Sequence, residues 1–266
     1  MKGSAVQVRA SALGEDPPPA GMRHDPRMVV LGGFLVAMAA LLAGASGFGL
    51  GLTATPALLL SGFSLPFVIT VNLLVSVATR ISVVWRLRSH IQSRRAGLLI
   101  VGAAPGLWLG SRAVGTFDAH TLKVGAGIVV AAAALALGWS ERRPFTFRTR
   151  FLTPVAGFFG GFLGTTTSLI GIPPALLLTQ RRVATQAFFA DLGVYFVVTS
   201  SLGLAVLAAD HRFSGAAARD TLYWLPGVLA ANVVGTTLGL RMPEALFRRF
   251  ALTIAFCAGI LTVTTA

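Results

Sequence analysis

The chain has 266 residues, of which 55% are hydrophobic and 12% charged, and its mean hydropathy is +0.77. An ordinary soluble domain carries roughly 25% charge, so this composition excludes a water-soluble fold and points to an integral membrane protein with the lipid bilayer as its surroundings. The formal net charge of +13 would suit a nucleic-acid binder, but the arginines fall mostly in short loops between apolar stretches, so no nucleic-acid partner is expected.

Residues 1–27 are polar and rich in Pro and Ala, and they read as a disordered tail without a cleavable signal peptide. Ten apolar segments follow, at about 28–44, 52–63, 66–85, 96–113, 121–139, 151–164, 168–180, 185–209, 221–240 and 247–264. Their lengths suit helices rather than the strands of an outer-membrane barrel, which gives an all-α polytopic fold of 8–10 membrane segments. Segments two, six and seven are short for a crossing of about 20 residues, so they are expected to be half-helices that leave about eight complete spans.

The chain divides into two transmembrane repeats, 28–140 and 141–266. PALLL occurs at 56–60 and again at 174–178, and the pattern G-x-x-L-G-x-R occurs at 106–112 and 235–241, where small residues let helices approach closely. Five segments per repeat is an odd number, so the second half must be inverted relative to the first. Loop charge agrees. Loops 86–95, 140–150, 181–182 and 241–249 carry thirteen arginines, whereas the opposite loops carry Arg112, Lys123, Arg212 and Arg219, partly offset by Asp118, Asp210 and Asp220. The positive-inside rule puts the first set in the cytoplasm. That map leaves the tail, with Lys2, Arg9, Arg23 and Arg27, outside, unless the first two segments make one crossing together; both arrangements stay open.

Each half also carries a helix break. Gly44, Gly47, Gly49 and Gly51 interrupt the first apolar region, and a new helix is expected after Thr53 or Thr55 with Pro56 in its first turn. Gly161, Gly164, Thr165, Thr166, Thr167, Ser168, Pro173 and Pro174 form the second break. Bare main-chain groups survive inside a membrane only where protein, water or solute satisfies them. The N-terminus of a half-helix favours an anion, so the two breaks are expected to meet near the midplane and hold one. The candidate binding residues are Ser46, Gly47, Gly49, Gly51, Thr53, Thr55, Gly164, Thr165, Thr166, Thr167 and Ser168. The alternative is that these small residues serve helix packing alone.

Asp191 is the carboxylate well inside an apolar segment, and the repeat sets it opposite Asn72. Intramembrane ionisable groups default to function, so Asp191 is a candidate for proton coupling, and Asn72 joins the binding set; a structural hydrogen bond is the alternative. Arg80 lies six residues before Arg86, where it either binds the anion or snorkels to the headgroups. Trp85, Trp108, Trp139, Tyr223 and Trp224 sit near segment ends as interfacial anchors. The single cysteine, Cys257, lies in an apolar run, and the histidines fall in the tail or loops without ligand spacing, so no metal site, disulfide or cofactor is expected.

The paired breaks, the basic loop after the next span and the G-x-x-L-G-x-R element resemble the TauE/SafE family of membrane permeases, also called sulfite exporters. The resemblance covers about 28–264 and implies a secondary transporter of small sulfur-containing anions, such as sulfite or sulfonates, in the bacterial inner membrane. It maps the family's glycine-rich element onto Gly44, Gly47, Gly49, Gly51 and Pro56, and its second copy onto Gly161, Gly164 and Pro174. The Thr165–Thr167 run stands where members often have glycines. A homodimer is an expected partner state. Two other classes compete. One is a membrane scaffold that carries nothing. The other is a rhomboid-like serine protease, for which Gly44-Ala45-Ser46-Gly47 fits G-x-S-G although no histidine lies in an apolar segment to serve as base.

Overall fold

The computed structural model describes residues 26–114, 149–167, 170–209 and 213–243, with 245–246, 249–250 and 253 beyond them. The tail up to 25, segment 121–139, most of segment 247–264, Ser168 and Cys257 lie outside the described residues. Among the described residues every regular element is a helix: α1 (Pro26–Ser46), α2 (Leu50–Leu60), α3 (Leu65–Arg86), α4 (Ser93–Val114), α5 (Thr149–Thr167), α6 (Ile172–Gln180), α7 (Thr185–Ala209) and α8 (Gly215–Arg241), with a 3₁₀ turn at Arg88–His90. Four of them, α1, α3, α4 and α7, are long and apolar enough to cross a membrane.

Helices α1 and α2 are separated by three residues rather than by the whole glycine-rich stretch. Gly47 (φ 80) and Gly49 (φ 101) adopt left-handed backbone, which a side chain would strain. The helix therefore stops at Ser46 and restarts at Leu50. This corrects the expected start after Thr53 or Thr55. Thr53 donates its hydroxyl back to the Gly49 carbonyl (3.2 Å) instead of capping, and Pro56 stands at the seventh position of α2 rather than in its first turn. Gly44 stays inside α1, and Gly161 and Gly164 stay inside α5.

The helices pack across the midpoint of the chain. α4 lies along α5, and α8 lies along α1; α3 packs on α7 at the centre, with α8 against α3 and α4 against α7. Two apolar clusters result, one built around Leu99, Leu178, Phe189 and Tyr195, the other around Val36, Leu58, Val71 and Val228. The last described helix of each half is thus the wall of the other half's cluster.

Glycines set these contacts. A Cβ on Gly106 or Gly110 would collide with the carbonyl oxygens of Phe158 or Phe162 in α5, and one on Gly235 or Gly239 with those of Leu41 or Ala45 in α1. Reciprocally, Gly161 abuts the Ala103 carbonyl, and a Cβ on Gly44 would come within 2.6 Å of the Asn232 oxygen. Both copies of G-x-x-L-G-x-R therefore do the same packing work, as small-xxx-small motifs do in membranes.

The turns after α2 and α6 also match. Gly62 N donates to Leu59 O (2.9 Å) and Phe63 N to Leu58 O (3.1 Å), while Arg182 N donates to Thr179 O (3.1 Å) and Val183 N to Leu178 O (3.2 Å). Gly62 and Arg182, both at positive φ, are 120 positions apart. By this register Thr79 corresponds to Thr199, Ser76 to Phe196 and Arg80 to Ser200, and both threonines donate to the carbonyl four residues back, at 2.7 and 2.6 Å. Asp191 then falls opposite Val71, one residue from the Asn72 that the repeat was expected to set against it, whereas the PALLL spacing of 118 would give Leu73.

Trp85, Trp108 and Tyr223 are exposed, as interfacial anchors should be, but Trp224 is buried. Its indole fills the space left by Gly32 and Gly33 of α1 and stands edge-on to Phe67, with ring centroids 6.2 Å apart.

Candidate functional site

A pocket with about 30 Å³ of free volume, room for about two waters, opens where α2 and α6 begin. The first turn of α2 lines it through Gly49, Leu50 and Gly51. Amides in a first helical turn have no partner within their helix and carry partial positive charge. From the other half come Gly164, Gly171 and Ile172. That second terminus has fewer donors to offer, because Pro173 and Pro174 follow Ile172 and neither has an N–H. The donor power of the pocket is therefore concentrated on the α2 side.

The long helices α3 and α7 close the pocket with polar side chains. Asn72, Ser76, Thr79 and Arg80 come from α3, and Phe196 and Ser200 from α7. Arg80 is the one ionisable side chain among the described residues that line it. It is 3% exposed and does not snorkel. Its Nη2 donates to the Ala43 carbonyl near the end of α1 (3.1 Å), its guanidinium carbon lies 5.3 Å from the Phe196 ring centroid, and Nη1 has no partner. Asn72 Nδ2 donates to Thr55 Oγ1 (2.9 Å), while Asn72 Oδ1 and Ser200 Oγ are likewise buried without partners. Unsatisfied buried polar atoms are uncommon in native folds. Here three of them line one cavity.

The remaining expected residues fall elsewhere. The Ser46 hydroxyl shares its one hydrogen between Leu42 O in the last turn of α1 (2.9 Å) and Phe48 O in the bend, and accepts from Phe48 N (3.4 Å), which leaves the serine tied to the backbone rather than to a histidine. Gly47 shapes the same bend and packs on Phe188. Thr165 and Thr166 donate to carbonyls of their own helix, at 3.2 and 2.9 Å from Phe162 O, and neither lines the pocket; Thr167 ends α5. Sequence reasoning missed Ser76, Thr79, Phe196 and Ser200. Ser200 occupies the register position of Arg80 once the matched turns fix the offset at 120.

Asp191 also lies outside the pocket lining. Its carboxylate is fully buried, accepts a hydrogen bond from Gln92 N (2.8 Å) and is ion-paired with Arg95 Nε, so it clasps α7 to the start of α4. Arg181, in the turn after α6, donates to Thr153 Oγ1 (2.9 Å); burial, and then the neighbouring Arg95 guanidinium, lower its pKa below the ordinary arginine value. Removing one partner of a buried pair leaves an uncompensated charge, at about 3–5 kcal/mol. Asp191→Leu and Arg95→Met should each lower the melting temperature in detergent strongly, and the double variant should recover most of the loss. Additive losses in that cycle would show that the two side chains do not act as a pair.

No curated protein and no solved structure gives a significant match to the chain. The family model described as "Sulfite exporter TauE/SafE" matches residues 31–262. With that match covering nearly its whole length, this apolar, helical membrane protein belongs to the TauE/SafE sulfite exporter family.

Proposed function

We propose that the protein is a secondary transporter that exports small sulfur-containing oxyanions, sulfite or sulfonates, across the bacterial inner membrane. The observation that carries the reading is the unpartnered Arg80 Nη1 in a cavity walled by the first turn of α2. A cation and a helix N-terminus converging in low dielectric favour a negative charge there. A scaffold gains nothing from leaving such groups unpaired, which counts against the competing class.

In this reading α1–α2 and α5–α6 are discontinuous membrane helices, and the two halves are an inverted repeat. The matched turns after α2 and α6, and the crossed pairing of α4 with α5 and α8 with α1, support it. Access would alternate as one half rocks against the other around a fixed site. Asp191 is proposed to carry the coupled proton from its place beside Arg95; an Asp191→Asn protein that folds and keeps gradient-driven flux removes that role.

The test is a panel of sulfite, sulfonates, sulfate and carboxylates against purified and vesicle-reconstituted protein. A ligand at 100 times its Kd adds about 2.7 kcal/mol to stability. Sulfite and small sulfonates should raise the melting temperature and be taken up, and carboxylates should do neither. A flat response to every anion would favour the scaffold.

A further inference from the structure

The two ends of the pocket are not equally closed. In α6, which leads from the pocket to Arg181, seven of nine residues are buried. In α2, its counterpart in the first half, Leu50, Ala54 and Leu58 are buried and the other described residues are not. Four residues of the lining are partly exposed, Gly49, Gly51, Leu73 and Gly164. Gly49 and Gly51 open α2, which leads away from the arginine-rich turns at Arg86 and Arg181. Leu73 lies two turns before Arg80 in α3, and Gly164 stands near the end of α5 farthest from those turns.

Toward the arginine-rich turns the polar face of α3 gives out. Asn72, Ser76 and Thr79 line the pocket at helical spacing, and the same face continues to Val83 and Leu87, 2% and 8% exposed. These two join Phe48, Phe189 and Phe196 in one apolar cluster. Phe196 is the aromatic side chain at the boundary, because it belongs to the cluster and also lines the pocket. Its ring fills the space that a Cβ on Gly171 would take, 2.2 Å from Cζ, and lies 5.3 Å from the Arg80 guanidinium carbon. By the register of the matched turns its counterpart in the first half is Ser76. α3 runs toward the arginine-rich side and α7 away from it, so the ring stands one turn, about 6 Å, to that side of Ser200, and the serine one turn to the other side of Arg80.

From this asymmetry we infer that the pocket opens away from the arginine-rich turns and that Phe196 is the gate that seals it toward them. The inference rests on the transporter reading above and adds its gate. A hydrated anion does not cross a dry apolar constriction. Inverted halves take unequal conformations in any one state and exchange them as access alternates, which is why one end is shut while the other is loose. The positive-inside rule puts the arginine-rich turns in the cytoplasm, so the state seen is outward-facing, and an anion arriving from the cytoplasm waits for Phe196 to move.

Cysteine labelling from each face of the membrane tests this. On a Cys257→Ser background, Ser76→Cys and Val83→Cys put a thiol on either side of Arg80, and Ser89→Cys, in the exposed turn after α3, marks the arginine-rich face. A membrane-impermeant methanethiosulfonate carrying a trimethylammonium group is added to right-side-out and to inverted membrane vesicles, without anion substrate or gradient. Ser76→Cys should react about tenfold or more faster from the face opposite Ser89→Cys, since the minor conformation of such an equilibrium holds about 10% of the population or less. Val83→Cys should react from neither face. With Phe196→Ala added, Val83→Cys should become reactive from the face that labels Ser76→Cys. Equal rates for Ser76→Cys from the two faces, faster labelling from the Ser89→Cys face, or an unreactive Val83→Cys in Phe196→Ala protein would overturn the inference. The Ser76→Cys comparison keeps Phe196 in place, so it decides the matter even where Phe196→Ala fails to fold. Labelling reports access and not transport. One-sided labelling with a flat response in the anion panel would therefore count against the sulfur-anion reading alone, and anion uptake without one-sided labelling against the gate alone.

Discussion

Arg80→Met should reduce sulfite uptake into vesicles about 100-fold, because a charge-assisted bond to a buried anion is worth about 2–5 kcal/mol when one partner is removed. The fold should survive the change. Methionine is close in length to the arginine stem and adaptable in shape, and replacing a buried charge by an apolar group relieves its desolvation. The arginine's hydrogen bond from Nη2 to Ala43 O is lost, and Phe196 keeps an apolar neighbour. Arg80→Lys separates charge from geometry. A lysine retains the cation but not the fork that reaches Ala43 and the cavity together, so flux should fall less than in the methionine variant. Undiminished uptake in Arg80→Met would remove the arginine from the site.

Gly106→Leu should have the largest effect on stability. A Cβ at that position already meets the Phe158 carbonyl oxygen of α5, so the two helices must separate before any larger side chain fits. Overpacking costs about 1–3 kcal/mol in soluble cores and occasionally more. At a backbone-to-backbone contact the separation also strips Gly102, Gly110, Gly157 and Gly161 of their packing, so the top of that range is expected. Gly235→Leu should do the same to α8 and α1, where the Leu41 carbonyl stands in the way. Gly97→Ala and Gly227→Ala are the controls, since nothing lies within 4 Å of the Cβ they would add. Melting temperatures in detergent should fall sharply for the first pair and stay near wild type for the second.

The helices were readable from the sequence because apolar length is a direct consequence of the bilayer. Segment 66–85 became α3 and segment 185–209 became α7 with little adjustment. The G-x-x-L-G-x-R pair was also legible, since both copies meet the same steric demand, but the PALLL copies, 118 apart, fall two residues out of the 120-residue register of the turns. Boundaries at the breaks were not. Four glycines between 44 and 51 look equivalent in sequence, but Gly44 packs against Asn232 and Gly47 and Gly49 turn the chain. Backbone sign and tertiary contact separate them, and neither is written in local composition.

Of the expected residues, Arg80, Asn72, Gly49, Gly51 and Gly164 line the pocket, and chemistry or break position pointed to each. The threonine run misled for a physical reason. Hydroxyls of threonines on a helix are readily satisfied by carbonyls three or four residues back, which is what Thr53, Thr165 and Thr166 do. Ser76 and Ser200 carry no such local signal. They became visible only when α3 and α7 were placed side by side.

Anomalous diffraction from crystals soaked in selenite, a heavier analogue of sulfite, tests the central claim most directly. A selenium peak is expected between the first turn of α2 and the Arg80 guanidinium, with its oxygens about 3 Å from Nη1 and the free amides. A well-occupied peak elsewhere in protein that still transports selenite, with the cavity beside Arg80 empty, would contradict it.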